Sequence, residues 1–227
     1  MVDVLVFSKD RPAQLDLLLR SIDRHALSLY SSVTILYTAT LGSYYRGYDL
    51  IQDERPGVRW HWDPAQGFET TVRNWLSVAG DVVSFLVDDD VFYRDTPATG
   101  SVLSALTPCS LRGGDYDYPF SVDGNIYRRD NVLELLELFN FSNPTELEAR
   151  AHALRAILPF AELVPVEPPC LVGVPANRVS VSSGMPHMGV DPFMLNERFL
   201  NGERLVARFD RDRYPAHWPV EYDWETP

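Results

Sequence analysis

The chain has 227 residues, of which 45% are hydrophobic and 23% charged, as in ordinary globular proteins. This composition excludes disordered, collagen-like and coiled-coil chains. Twenty basic residues against 32 acidic ones give a net charge of −12, which argues against nucleic acid as a partner because its backbone is anionic. We expect a single domain over residues 1–227 with a sizeable hydrophobic core.

Segments that would direct the chain to a membrane or out of the cell are not evident in the sequence. No apolar run approaches the ~20 residues of a membrane span, and the first seven residues lack the basic region of a signal peptide. Cys109 and Cys170 are too few for a disulfide scaffold or a zinc site, so we expect free thiols. These features predict a cytoplasmic protein without a transmembrane segment.

The first 90 residues alternate between strand and helix patterns. Asp10 is expected to cap a helix that begins near Pro12, and a second helix is predicted over residues 68–79. Short apolar runs predict four strands, at residues 3–7, 33–37, 58–62 and 82–87.

The second half is less regular, with a strand and loop expected within residues 118–127. Helices are predicted over 131–139 and 192–200, and a third begins at Asn143-Pro144; a strand is predicted over 170–174. Together the patterns predict an α/β domain with a mostly parallel central sheet, in which ligands bind at the carboxyl ends of the strands.

Three consecutive aspartates, Asp88, Asp89 and Asp90, directly follow the predicted strand 82–87. Carboxylates this close repel one another, and burial increases that cost. A divalent cation would relieve the repulsion, and oxygen ligands suit Mn²⁺ or Mg²⁺. The alternative is a solvated acidic turn without a ligand.

Four segments together resemble the nucleotide-sugar glycosyltransferases of the GT-A fold, in particular family-2-like members. The resemblance lies in their order and spacing, at residues 4–12, 68–74, 83–90 and 121–128. It implies a GT-A-like fold, Rossmann-related, with a nucleotide-sugar-binding half over about 1–95 and an acceptor-binding half over about 96–227.

The resemblance also implies the reaction. A sugar would pass from a nucleoside-diphosphate sugar to a hydroxyl of a saccharide or glycolipid acceptor, with inversion and with Mn²⁺ or Mg²⁺, in surface polysaccharide assembly. Peripheral association with a membrane is compatible with this setting. The chain departs from the family at two points: Thr38-Ala39-Thr40 replaces the usual base-reading aspartate, and Glu146-Leu147-Glu148 is the nearest match to the usual Glu-Asp pair.

The site residues implied by the resemblance fall into three groups. The metal ligands would be Asp90, Asp88 and His187. The residues expected to contact the nucleotide donor are Ser8, Asp10, Arg11, Thr38, Tyr45, Arg73, Asp88 and Asp89.

The third group is the catalytic base, for which Asp123 is favoured over Glu148. Asp123 precedes Gly124, whose small size lets a loop approach a ligand closely. The other interpretations stay open: Asp123-Gly124 is a tight turn, Glu148 lies on a solvated helix face, or the reaction retains configuration and needs no such base.

Two other functions are compatible with the aspartates. Residues 85–91 resemble the first motif of haloacid-dehalogenase-like phosphatases, with Asp88 as the nucleophile, but those enzymes need a later lysine and Lys9 is the only one in the sequence. The second alternative is a non-catalytic module that binds a nucleotide or a carbohydrate.

Overall fold

The computed structural model describes residues 1–63, 67–97, 104–105, 120–154, 164–166, 168–174, 176–177, 188–208 and 221–226. The helices of this part of the chain are α1 (Pro12–His25), α2 (Gly42–Glu54), α3 (Phe68–Val78), α4 (Arg129–Leu136), α5 (Pro144–Ala153) and α6 (Pro192–Leu200). The strands are β1 (Val2–Lys9), β2 (Tyr30–Thr38), β3 (Arg59–Trp62), β4 (Val82–Val87), β5 (Asp90–Phe92), β6 (Ser104–Ala105), β7 (Ile126–Arg128), β8 (Val164–Pro165), β9 (Leu171–Gly173), β10 (Arg204–Arg208) and β11 (Glu221–Glu225).

A five-stranded sheet with the order β3-β2-β1-β4-β7 forms the centre of the fold. Strands β1 to β4 pair in parallel, whereas β7 pairs with β4 in the antiparallel direction. β1 and β4 are nearly continuous apolar runs because both faces of a parallel sheet are covered. The predicted α/β class with a mostly parallel sheet is confirmed.

Helices cover the sheet on both faces, and each face has its own apolar cluster. Successive side chains of β1 point to opposite faces. Val4 and Val6 pack with α1 and α2, whereas Leu5 and Phe7 pack with α3, α4 and α5. The two clusters therefore hold β1 in the middle of three layers.

In the described part of the chain, three smaller strand pairs lie outside the central sheet: β5 with β9, β6 with β8, and β10 with β11. The antiparallel β5–β9 pair matters most for the site, because it joins Asp90 to Gly173 directly after the end of β4. A chain segment from the last third of the sequence is thereby fixed beside the aspartates.

The start of α1 differs from the prediction that Asp10 caps the helix. The capping position is Arg11, without a side-chain cap, and Pro12 occupies the first turn. Asp10 has a φ of 57°, and its carboxylate accepts hydrogen bonds from the Thr40 N–H (2.7 Å) and the Thr40 hydroxyl (2.9 Å). These bonds offset the cost of about 1–3 kcal/mol of a left-handed backbone, so Asp10 joins the loop after β1 to the loop after β2.

Helix α2 and the β10–β11 hairpin were not predicted. In α2 the buried residues Tyr44, Tyr48 and Ile51 recur at helical spacing, so the pattern was present between two strands that looked adjacent. Other elements match closely: β4 and α6 have the predicted bounds, and the Asn143 side chain caps α5 by accepting from the Glu146 N–H.

Two further expectations concern membrane-spanning helices and the two cysteines. Within the described ranges, no helix combines the length and apolarity that crossing a bilayer requires. Cys170 is buried, and Cys109 lies outside the described residues.

Gly124 is required by its conformation and by its surroundings. Its φ is +87°, and a Cβ atom there would lie 2.1 Å from Leu171 Cδ2. We expect Gly124→Ala to lower the free energy of unfolding by about 2–4 kcal/mol, since it adds backbone strain to overpacking. Urea denaturation measures this change.

Gly42→Ala is the matched control, because a Cβ at Gly42 meets no atom within 4 Å and the residue lies in the first turn of α2. It should change stability by less than about 1 kcal/mol, in the stabilising direction. Equal losses in the two variants would contradict the close packing of Gly124 on Leu171.

Candidate active site

The polar residues of the site lie where β1 and β4 end side by side. Phe7 pairs with Val87 in the register of these strands, so Ser8 and Asp88 follow at the same edge of the sheet. The Asp88 N–H donates to the Phe7 carbonyl at 3.0 Å and continues the ladder by one residue. Ser8 and Asp88 are therefore neighbours at this edge.

Asp88 is a buried junction between β1, α1 and β4. Its Oδ2 accepts from the Ser8 hydroxyl (2.8 Å) and the Lys9 N–H (3.0 Å), and its Oδ1 accepts from Arg11 Nη1 (2.8 Å). Burial raises the pKa of Asp88 to about 6, although Arg11 opposes that shift. Both carboxylate oxygens thus have hydrogen-bond partners within the protein.

Arg11 is the cation that balances this group. Its guanidinium also donates to Asp89 Oδ2 at 3.1 Å, to Asn177 Oδ1 at 2.8 Å and to the Asn177 carbonyl. Burial alone would lower the pKa of Arg11, but Asp88 and Asp89 raise it above its ordinary value. Arg11 therefore stays charged, and it joins the start of the chain to a residue 166 positions later.

Two tyrosines complete the surroundings of Arg11. The buried Tyr48 hydroxyl is hydrogen-bonded to Ser8 Oγ (2.7 Å) and accepts from the Arg11 N–H (3.1 Å). The Tyr222 hydroxyl donates to the Val174 carbonyl (2.9 Å), and burial, reinforced by Asp89, raises its pKa. α2 and the β10–β11 hairpin, the elements missed from sequence, supply both rings.

Asp90 is fully buried and has an oxygen atom without a partner. Its Oδ2 accepts from the Val87 N–H at 2.9 Å, whereas Oδ1 has no hydrogen-bond partner within the described residues. Burial, reinforced by Asp123, raises the pKa of Asp90 well above its ordinary value. The free oxygen is an acceptor available to a proton or a cation.

Asp123 and Glu148, the two candidates for the base, belong to one group rather than two. Ser121 Oγ lies 3.2 Å from Asp123 Oδ2, and Glu148 Oε1 accepts from the Val122 N–H at 2.9 Å. Burial raises the pKa of Asp123 to about 6 and that of Glu148 to about 8, and Asp123 adds to the shift of Glu148. Near neutral pH the pair holds about one proton between its two carboxyl groups.

The remaining predicted donor residues lie in different places. Thr38, at the end of β2, donates to Asp63 Oδ2 at 3.3 Å, and the half-buried Tyr45 contacts Trp62 edge to face. Sequence reasoning passed over Asp63, although the rule that drew attention to Asp88 applies to it: a carboxylate that directly follows a strand.

Arg73 is engaged away from the aspartates. Its guanidinium donates to Glu69 Oε1 (2.8 Å) and to the Leu136 (2.7 Å) and Phe139 (3.2 Å) carbonyls, which joins α3 to the end of α4. The structure therefore does not bring Arg73 together with Arg11 and Asp88. His187 lies outside the described residues.

The chemistry of the donors fits a hard divalent cation at Asp90. In the described part of the chain, no three His, Cys, Asp or Glu side chains are grouped so as to enclose a metal ion. Mg²⁺ does not require such a cage, since it is usually bound by one or two carboxylates together with substrate phosphates. The unpartnered Asp90 Oδ1 is an oxygen ligand of this kind.

Comparisons with known proteins find similarity among solved structures. No protein-family model matches the chain, and no curated protein sequence matches it. A mannosyltransferase from Pyrobaculum calidifontis, solved with GDP-Man and Mn²⁺, matches at 15% identity and a TM-score of 0.48, covering 76% of this chain and 57% of that one.

Two other matches have lower TM-scores. The Streptococcus pneumoniae glycosyltransferase GlyE matches at 14% identity and a TM-score of 0.40, covering 74% of this chain and 46% of its own. A 4-diphosphocytidyl-2C-methyl-D-erythritol synthase matches at 11% identity and a TM-score of 0.39, covering 73% of this chain and 89% of that one. The chain thus spans about half the length of the two glycosyltransferases.

The Arg11–Asp88 pair should be strongly coupled. Arg11→Met leaves buried carboxylates without their counter-charge, so we expect it to lower the free energy of unfolding by about 3–5 kcal/mol. Combining it with Asp88→Asn should recover part of this loss, because the uncompensated charge is then removed. A double-mutant cycle in urea measures the coupling, and purely additive losses would contradict the pairing.

Glu148 should make stability depend on pH. Its pKa is about 8 in the folded chain and about 4.3 when unfolded, so between these values the folded state binds more protons. The free energy of unfolding therefore decreases as pH rises from about 5 to about 8.

Glu148→Gln should flatten this decrease, because its carbonyl can still accept from Val122 but does not titrate. Thermal melts at several pH values measure the slope. Glu134→Gln, at an exposed position of α4, is the matched control and should keep the wild-type slope. An unchanged slope in Glu148→Gln would show that Glu148 titrates normally.

Proposed function

We propose that this chain is a glycosyltransferase that moves a sugar from a nucleoside-diphosphate sugar to a hydroxyl acceptor with inversion. The observation that carries the proposal is the group at the end of β4: Asp90 has an unpartnered buried oxygen, and Asp123 helps to raise the pKa of both Asp90 and Glu148. A cation-binding acceptor beside a carboxyl pair with raised pKa values suits transfer to a hydroxyl group.

Asp123 is the base in this proposal. As the acceptor oxygen forms its bond to the anomeric carbon, the bond from that carbon to the diphosphate oxygen breaks and the nucleoside diphosphate leaves with the electron pair. The acceptor proton passes to the Asp123 carboxylate. A pKa near 6 leaves Asp123 mostly ionised at neutral pH and still basic enough to accept that proton.

Glu148 supports the base rather than replacing it. Its pKa of about 8 means that it holds a proton at neutral pH, so the second negative charge beside Asp123 is absent. The bond from the Val122 N–H fixes the Glu148 carboxyl against the segment that carries Asp123. The pair therefore offers one ionised and one neutral carboxyl group to the acceptor.

Asp90 would hold Mn²⁺ or Mg²⁺ in this proposal, and the bound ion would neutralise charge on the departing diphosphate. Ser8, Arg11 and Lys9 lie at the same edge and define the donor side. Asp88 and Asp89 would contribute indirectly, through the Arg11 network that fixes the end of β4.

The acceptor in this proposal is a saccharide or a glycolipid, and the setting is surface polysaccharide assembly at the cytoplasmic side of a membrane. These finer assignments come from the family resemblance of the sequence. A retaining reaction remains the alternative if neither carboxyl group proves to be needed.

The phosphatase alternative is disfavoured by the state of Asp88. A nucleophilic aspartate needs an oxygen exposed to the substrate, but both Asp88 oxygens accept hydrogen bonds within a buried network. An activity measurement distinguishes the proposed enzyme from a non-catalytic binding module. A chain that binds sugar nucleotides and never cleaves them, with or without acceptor, would be such a module.

Asp123→Asn is the direct test of the proposed base. We expect it to lower kcat about 10²–10⁴-fold for transfer, or for slow hydrolysis of the sugar nucleotide, with donor affinity nearly unchanged. Glu148→Gln should cost less in kcat and should shift the pH profile. Product formation by chromatography measures the rates, and Glu134→Gln is the control for the glutamate.

The opposite pattern, in which Asp123→Asn is active and Glu148→Gln is dead, would identify Glu148 as the base. Activity in both variants would exclude base catalysis by this pair. It would favour a reaction that retains the configuration at the anomeric carbon.

Asp90→Asn tests the cation. We expect it to remove the dependence of donor binding on Mn²⁺ and to abolish turnover, whereas the exposed Asp53→Asn should match the wild type. Titration of Mn²⁺ by calorimetry provides a readout independent of turnover. Unchanged Mn²⁺ affinity in Asp90→Asn would exclude Asp90 as a ligand.

A further inference from the structure

Asp63 presents a second carboxylate oxygen without a donor at the same edge of the sheet. It directly follows β3; its Oδ2 accepts from the Thr38 hydroxyl at 3.3 Å, and Oδ1 is shielded from water without a partner in the described ranges. Burial raises the pKa of Asp63, and the Thr38 hydrogen bond and the positive charge of Lys9 oppose that shift. Asp63 Oδ1 is thus a hydrogen-bond acceptor without a donor, on a carboxylate that Thr38 orients. Such an atom is suited to accept a hydrogen bond from a ligand.

The register of the sheet places Asp63 in line with the aspartates. Lys9 pairs with Thr38, and Tyr37 pairs with Trp62, so the ends of β4, β1, β2 and β3 form one row. Neighbouring strands are about 4.8 Å apart, so three spacings put Asp63 about 14 Å from Asp88. An extended nucleoside diphosphate is long enough to span this row.

The direction in which a bound nucleotide would run follows from the proposed function. Asp123 precedes β7, which lies on the far side of β4. If the sugar and the acceptor meet between Asp90 and Asp123, the nucleoside has to extend the other way, over β1 and β2. The base then reaches the end of β3, where Asp63 lies.

We propose that Asp63 reads the nucleobase of the donor and selects uracil or guanine over cytosine and adenine. This inference rests on the proposed function and adds the class of nucleotide to it. A carboxylate only accepts hydrogen bonds. Uracil and guanine carry a ring N–H on the edge that faces it, whereas cytosine and adenine present a ring nitrogen lone pair there. Selection therefore combines an attraction with a repulsion.

The experiment measures binding without catalysis. UDP, GDP, CDP and ADP are titrated by calorimetry, each with Mg²⁺, into wild type, Asp63→Asn, Thr38→Val and the exposed control Asp53→Asn. We expect wild type and Asp53→Asn to bind UDP or GDP about 10–100-fold more tightly than CDP and ADP, the scale of a charge-assisted hydrogen bond. Whichever of UDP and GDP binds wild type more tightly identifies the preferred nucleobase.

Asp63→Asn should lose most of this preference, because its amide can also donate to cytosine or adenine. Thr38→Val should weaken the preference less, since it removes only the side chain that orients Asp63. Thermal melts would show whether the variants remain folded.

Retention of the preference in folded Asp63→Asn would overturn the inference. Equal binding of all four nucleotides to wild type would overturn it as well and leave the glycosyltransferase proposal intact. Binding of none of the four to wild type would overturn both.

Discussion

The burial of carboxylates at the end of β4 is the constraint on which the arrangement of the site depends. An ionised carboxylate that leaves water needs a counter-charge or hydrogen bonds, and without them it takes up a proton. Arg11 supplies the counter-charge for Asp88 and Asp89, and it is fixed in turn by Asn177 and Tyr48. Segments from the first and last thirds of the chain therefore meet at one guanidinium.

Asp90 is not among the carboxylates whose charge Arg11 balances. Asp90 is as buried as Asp88, but one of its oxygens lacks a donor, and the charge that adds most to its raised pKa after burial is another carboxylate, Asp123. The three consecutive aspartates thus differ in role. Asp88 and Asp89 take part in the ion-pair network of Arg11, whereas Asp90 has a buried oxygen without a hydrogen-bond partner among the described residues. Adjacent identical residues acquire different chemistry from the partners around them.

The same edge of the sheet is divided along its length. Arg11 and its carboxylates lie in the middle, at β1 and β4; the carboxyl pair Asp123 and Glu148 lies toward β7; and Asp63 lies at β3. A parallel sheet brings the carboxyl ends of its strands to one side, so residues far apart in sequence form a continuous row.

The sequence by itself determined the alternation of strands and helices, the α/β class, and the place of Asp88 after a buried strand, because hydrophobic periodicity and the end of an apolar run are local properties. It did not show that Arg11 pairs with Asp88 and Asp89, nor that Asp123 and Glu148 share one site, since those facts depend on contacts between distant segments. The cap expected from Asp10 failed for the same reason: its carboxylate binds Thr40, 30 residues away. Tertiary structure decided which carboxylates are paired, because electrostatic partners are neighbours in space and not in sequence.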